Sequence, residues 1–355
     1  MGRLRHGVPI GRTGVGGDAA GHTEPMSSRA EPDRPAASPV LPAAPKGGGD
    51  ESRLTVIVAF VANVLIAVAK SVAAAITGSA SLVAEAAHSW ADAGNEVFLL
   101  TATRRSRRPA DPDHPLGYGR EAYVWSLFAA LGLFVAGAAV SITHGVQGLI
   151  DPEPATDFVI GYVVLAISFV LEGISFRQSV KQARSEAAAT RRDLLDQVLA
   201  TSDPTLRAVF AEDAAALLGL LLAAAGLAAH QLTGSSIPDA IGSIVIGVLL
   251  GVVAIVLVDR NRAFLVGQQV RPETRSAAVR ALLALPEVDR VTALRLEFVG
   301  PRQVYVVGDV DLAGDEAESH LAVRLRALEA RVVQESEMVV GATFSLSAPD
   351  EPSLH

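Results

Sequence analysis

Cysteine is missing from all 355 residues. That excludes a disulfide framework, a thiolate metal site and a cysteine nucleophile, so any metal must be held by imidazole, carboxylate, carbonyl or water. Charge is scarce as well: Asp, Glu, Lys and Arg make up 19% of the chain and gather between apolar runs. The net charge of −8 argues against nucleic acid as a partner. No phosphate-binding loop, HExxH or nucleophile elbow is evident, so the chain is not expected to be an enzyme. What is abundant is apolar surface. Half of the residues are hydrophobic and the mean hydropathy is +0.35, above that of a usual soluble domain. The chain reads as a membrane protein with some soluble part. Its high Ala, Val, Arg and Gly content points to a GC-rich, bacterial genome.

One stretch organises the rest: Ser79 to Gly94, SASLVAEAAHSWADAG. It lies in an apolar segment long enough to cross a bilayer, yet it carries Glu85, His88 and Asp92. On a helix His88 and Asp92 share a face, and Glu85, three before His88, falls on the same side. Ionisable groups at membrane depth are costly and usually face a partner, an ion or a water-filled path. Imidazole with carboxylate is a ligand set for a divalent transition metal, although the same residues would also make a polar seam between helices.

Residues 1–50 are rich in Gly, Pro, Ala and charge, without a sustained apolar period, and are expected to form a disordered tail. No apolar h-region follows the first basic residues, so no cleavable signal peptide is expected. A transmembrane domain is expected over 51–262, with six helices near 53–77, 79–103, 119–149, 157–180, 204–231 and 236–260. Basic residues fall in every second connection: Arg104, Arg105, Arg107 and Arg108; then Arg177, Lys181, Arg184, Arg191 and Arg192; then Arg260 and Arg262. That alternation predicts both termini in the cytoplasm. Gly247 and Gly251 mark a closely packed sixth helix, as Gly132 and Gly137 do the third. Tyr123 and Trp125 suit an interfacial belt, Lys70 is expected to snorkel outward, and His144 and His230 read as interfacial residues.

From about 271 the pattern changes. Arg271-Pro272 opens a helix through Leu283; Val291 to Phe298, Val304 to Leu312 and Val339 to Leu346 read as strands. Glu316 to Glu335 reads as a helix with Leu321, Val323, Leu325 and Leu328 on its apolar side. The order αββαβ over 263–348 predicts a small α+β domain on the cytoplasmic side, followed by a flexible tail at 349–355. A domain this small gains from a dimer contact.

Several separate motifs stand in order along 53–346: GSASLVAEAAHSWADAGNE (78–96), DPDHPLGYGREAYVWS (111–126), FVLEGISF (169–176), FAEDAAALLG (210–219) and LTGSSIPDAIGSIVIG (232–247). With these the chain resembles the cation diffusion facilitator family, in particular the branch of the animal zinc transporter 9 type. The resemblance implies an all-α bundle of six transmembrane helices with a ferredoxin-like cytoplasmic domain, usually a homodimer in the lipid bilayer. It implies exchange of a divalent metal, most often zinc, for protons, with no permanent cofactor. The family's transport site is two ligand pairs on the second and fifth spans. Here they fall on His88 and Asp92, then on Val209 and Asp213, and valine cannot bind metal. Glu212, Glu85 or Glu172, or water, would have to fill that place. Glu212 points about 100° from Asp213 on the helix. Glu172 reads as a ligand, a proton carrier or a partner of Arg177. A second family site, in the loop before the third span, falls on Asp111, His114 and Tyr118; the tyrosine departs from it, and a polar turn set by Pro112, Pro115 and Gly117 reads better there. In the soluble domain His320, near Asp315 and Glu316, is the internal histidine and His355 stands at the end, so metal sensing is not expected.

The expectation is therefore an integral membrane exporter of a divalent cation, zinc first, in a bacterial plasma membrane. Manganese, iron(II), cobalt and nickel remain open for such ligands. The rival reading is a non-transporting scaffold or regulatory relative, which Val209 favours and the six buried ionisable groups oppose.

Overall fold

A computed structural model describes residues 53–152, 156–190, 192–314 and 317–354. The tail expected at 1–50, together with Arg191, Asp315, Glu316 and His355, lies outside the described residues.

The membrane part is built from long helices whose ends are written in the sequence. Helix α1 (Arg53–Thr77) passes through Gly78, at φ +67°, directly into α2 (Ala80–Ser106). Ser79 starts α2 by accepting a hydrogen bond from the Leu82 amide at 3.2 Å, which satisfies one of the free N–H groups of a first turn. Helix α3 (Glu121–Gly132) loosens into a π-helical stretch, Leu133–Ala139, and continues as α4 (Val140–Ile150). Helix α5 (Phe158–Thr190) runs about ten residues beyond the expected span, and a short helix, α6 (Leu194–Ala200), follows that no apolar period announced. Asp203 caps α7 (Pro204–Thr233) through the amides of Thr205 and Leu206, and Gly234 ends it at φ +69°. Helix α8 (Ile237–Val266) begins with Pro238 in its first turn and ends at Gly267.

Five runs among the described residues are long and apolar enough to cross a membrane: Phe60–Thr77, Glu121–Ile150, Phe158–Ala188, Pro204–Thr233 and Ile237–Val266. Helix α2 is not among them. At 27 residues it is about 40 Å long, but Glu85, His88, Asp92 and Glu96 interrupt its apolar character. It is enclosed instead: Leu82, Ala84 and Ala91 belong to a core with Leu133, Leu165, Leu220, Leu227, Ile246 and Leu250.

Small residues let these helices approach. A Cβ on Gly247 would stand 2.9 Å from the Ala138 carbonyl oxygen, and one on Gly145 would stand 2.7 Å from that of Ala240, so α4 and α8 pack backbone against backbone. Gly137 meets Leu250, but Gly132 has open space beside it and takes no part in that contact. Tyr123 is fully buried rather than interfacial: it stacks on Phe264 at 5.0 Å and its hydroxyl donates to the Ser202 carbonyl at 3.0 Å. Lys70 does not snorkel; it is fully buried. His230 is buried against the edge of Phe158, whereas His144 is exposed.

The C-terminal part is α9 (Pro272–Leu283), β1 (Val288–Gly300), β2 (Gln303–Leu312), α10 (Glu318–Glu335) and β3 (Val339–Leu346). The sheet order is β1-β2-β3, with an antiparallel hairpin and then a parallel pair joined through α10. Leu294, Leu296, Val304, Val306 and Phe344 pack under Val279, Leu282, Leu328 and Val332. Val323 is 69% exposed, since two residues along a helix from Leu321 lie on the opposite side. The tail expected at 349–355 instead returns to β1, where Leu354 donates to the Val291 carbonyl at 2.7 Å and Arg290 to that of Glu351 at 3.0 Å.

The tip of the β1–β2 hairpin docks against the helices. Arg302, at φ +57°, pairs with Glu186 of α5 at 2.5 Å, and its amide donates to Ser202 at 3.1 Å. Arg120 pairs with Glu297. Gly119 and Gly300 touch without side chains between them.

Candidate metal centre

Four helices enclose a cavity of about 90 Å³. Helix α1 contributes Asn63 and Ile66; α2 contributes Ser89, Asp92, Glu96 and Leu99; α5 contributes Glu172 and Ser175; α7 contributes Val209, Glu212 and Asp213. Four sequence-predicted site residues therefore meet on one cavity: Asp92, Glu172, Glu212 and Asp213. The volume has room for a cation with part of its water shell.

The two neighbours on α7 diverge as their 100° separation requires. Glu212 accepts a hydrogen bond from Asn95 of α2. Asp213 accepts from Ser175 of α5, which lies 3.2 Å from both of its oxygens. Between them Val209 presents an apolar wall. Glu96 accepts from Asn63 at 2.6 Å, which ties α1 to α2 at the cavity.

His88 is fully buried and neither ring nitrogen has a partner. Its Nδ1 stands 3.5 Å from Asp92 Oδ1, too far for a good hydrogen bond, and that oxygen is also unpartnered. Orphaned polar atoms at this burial are rare, because each forfeits its solvation without recovering a bond. Glu85 does not line the cavity. One of its oxygens receives Lys70 at 3.0 Å and the other lies unpartnered beside Gly219, where a Cβ would collide with it. Glu172 does not reach Arg177; the ion pair it makes is with Lys70, at 3.9 Å. Among the described residues no group of three or more His, Asp or Glu side chains is arranged to hold a metal ion.

Sequence reasoning passed over Ser89, Asn95, Glu96 and Ser175. Glu96 was accessible by period, four residues beyond Asp92 and eight beyond His88 on the same face, and Ser175 lies three beyond Glu172. Asn95 was not: its role depends on how α2 faces α7.

The loop site is a closed turn. Asp111 accepts from the amides of His114 at 2.8 Å and Asp113 at 3.1 Å, and from the Tyr118 hydroxyl at 2.7 Å. That hydroxyl is the main reason the Asp111 carboxyl sits below the usual carboxylate range; the same bond raises the Tyr118 phenol. Arg108 covers the Tyr118 ring at 4.1 Å.

The family described as the cation efflux transmembrane domain matches residues 56–265. Metal tolerance protein C4 of Arabidopsis thaliana is 38% identical over 233 residues, which cover 66% of this chain and 51% of the relative. The proton-coupled zinc antiporter SLC30A9, mitochondrial, of Xenopus laevis is 34% identical over 259 residues, covering 73% of this chain and 46% of the relative. The cation-efflux pump FieF of Escherichia coli is 34% identical over 122 residues, covering 34% of this chain and 40% of the pump. The chain thus spans about half the length of the first two relatives. A match over more than half of the chain, with the zinc antiporter among its relatives, settles the family: the chain belongs to the cation efflux, or cation diffusion facilitator, family, close to the SLC30A9 branch.

Proposed function

We propose that the protein exports a divalent metal cation, zinc first, from the cytoplasm in exchange for protons. The observation that carries this reading is the cavity itself: five carboxylates from three helices face one small space inside a bundle of membrane length, with an unpartnered imidazole next to Asp92. The relatives' names, a proton-coupled zinc antiporter and a cation-efflux pump, point the same way.

In this reading α2 is the sixth spanning helix, shielded from lipid by the other five, and the soluble αββαβ part is ferredoxin-like. The membrane domain occupies about 51–262 and the soluble domain 263–348. Arg104, Arg105, Arg107 and Arg108 lie at one end of the bundle and Asp151 and Asp157 at the other, which favours a cytoplasmic soluble domain and cytoplasmic termini in a bacterial plasma membrane. Val307, Val340 and Leu346 stay exposed on the small sheet and favour a homodimer.

Cargo from the cytosol meets Asp92, Glu172, Glu212 and Asp213; His88 does not itself line the cavity and stands beside Asp92, 3.5 Å from it. Holding the ion needs neutral imidazole and ionised carboxylates, so loading expels protons. Protons arriving from the far side reverse the exchange, and rocking of the helices opens the cavity to each side in turn. With five carboxylates to one imidazole and Val209 in a ligand's place, manganese, iron(II), cobalt and nickel are the competing cargoes.

The test is zinc uptake into proteoliposomes under an imposed pH gradient, with the other four metals as competitors. Uptake that follows the gradient supports the exchanger. A folded wild type that moves none of these metals overturns it in favour of the scaffold reading.

A further inference from the structure

Lys70 is the unexplained charge of the bundle. It lies in α1, is fully buried, and its ammonium donates to Glu85 at 3.0 Å and Ser89 at 2.8 Å. An ammonium has three N–H donors. The third points to no bond at hydrogen-bond distance among the described residues; the nearest acid beyond Glu85 is Glu172, at 3.9 Å. The two acids differ in kind. Glu85 is fully enclosed behind the cavity, pressed against Gly219, and its counter-charge is Lys70. Glu172 lines the cavity and is 14% exposed. Lys70 therefore spans the wall of the site, with one acid it holds and one it shares.

We propose that Lys70 is a positioning residue, a tethered cation that competes with the transported metal for Glu172; this rests on the transport reading above. Without cargo, the ammonium holds Glu85 and Ser89 and stands within ion-pair reach of Glu172, which keeps the cavity from accumulating uncompensated negative charge. When a divalent ion arrives, its greater charge draws Glu172 away from Lys70, which keeps its bonds to Glu85 and Ser89. On release, Lys70 recaptures Glu172, so the site never binds its cargo with every carboxylate at once. Lys70 would in this way trade affinity for turnover. Glu85 is then the anchor of Lys70, not a ligand of the metal.

The inference is tested by measuring zinc binding to the purified full chain in detergent, together with the half-saturation and maximal rate of gradient-driven zinc uptake in proteoliposomes. In Lys70→Met, zinc should bind at least tenfold tighter and the half-saturation should fall alike, while the maximal rate drops severalfold. In Glu85→Gln the freed ammonium turns fully on Glu172, so binding should weaken severalfold. The double variant Lys70→Met/Glu85→Gln, which buries no unpaired charge and keeps the proposal testable if the single variant does not fold, should bind tightly like Lys70→Met. Weak binding in the double variant would make Glu85 a ligand and overturn the proposal. Unchanged binding in Lys70→Met, or binding and rate falling together, would reduce Lys70 to a structural pair and overturn it too. A wild type that binds and moves no zinc instead defeats the transport reading, a result distinct from all of these.

Discussion

Two stretches of α2 bury polar groups in opposite ways. At its start Ser79 and Ser81 meet Asp239 of α8, which is 2% exposed. Ser79 donates to Asp239 at 2.9 Å, the Ser81 hydroxyl donates to the same carboxylate, and the Ser81 amide reaches it at 3.4 Å. Two turns further on, His88 is fully buried and Asp92 is 19% exposed, and together they leave three polar atoms without partners. Polarity at depth is common to both, so depth alone does not mark a site. What separates them is satisfaction: the first cluster is complete and fastens two helices, whereas the second leaves its imidazole and one carboxylate oxygen unbonded.

The sharpest way to break that contrast is Asp92→Ala with Asp213→Ala. Zinc uptake should fall by more than about a hundredfold, beyond what loss of supporting residues does to metal sites. The melting temperature in detergent should hold or rise, because two uncompensated buried acids are gone. A large loss of stability would show that the unsatisfied cluster is structural after all. Asp239→Ala should do the reverse. Losing a cap and stranding two buried hydroxyls costs about 2–4 kcal/mol, read as an earlier thermal transition, while uptake per folded molecule is retained.

Val209→His sharpens the contrast from the other side by adding a donor where the cavity wall is apolar. Zinc affinity should rise by about tenfold, and manganese should compete less well, since imidazole suits zinc better than manganese. The smallest effect belongs to the satisfied loop turn. Because Asp111 is depressed in the folded chain, its contribution is present above the unfolded carboxylate range, about pH 4, and is lost as the pH falls through the folded value. The protection of the His114 amide, its slowing relative to an unstructured amide at the same pH, should therefore hold from neutrality down to about pH 4 and fall below it, and Asp111→Asn should remove most of that fall.

Hydropathy and alternation made most elements legible: α2, α7 and α9 begin within a residue of where they were expected, near 79, 204 and 272, and β2 keeps the period of two along its length. The misreadings share one cause. In an apolar helix every face looks alike, so sequence does not say which way Lys70, Tyr123 or Gly132 points; that is set by the neighbours they pack against. Val323 failed differently: Leu321, Leu325 and Leu328 keep the helical period among themselves, and Val323 is out of phase with them. In the candidate site, Asp92, Glu172, Glu212 and Asp213 were visible because charge within an apolar run stands out, although Glu96 was passed over. Ser175 and Asn95 were invisible because uncharged polar residues are ordinary in such helices and gain meaning only once α2, α5 and α7 are brought together.

The Lys70–Glu85 pair also bears on how the chain is made. The two residues are fifteen apart and joined through the tight turn at Gly78-Ser79, so α1 and α2 leave the ribosome as consecutive halves of one hairpin. A lysine or an aspartate at the centre of a lone helix resists membrane insertion by about 2.5–3.5 kcal/mol per residue. Glu85, Asp92 and Glu96 make α2 a poor candidate for insertion by itself. In the six-span reading proposed above, pairing with Lys70 would neutralise Glu85 before it meets lipid. Biosynthesis is thus tied to the same contact, and a variant that separates the pair should show its first defect as unglycosylated or misoriented α2 in an insertion assay, before any cargo is offered.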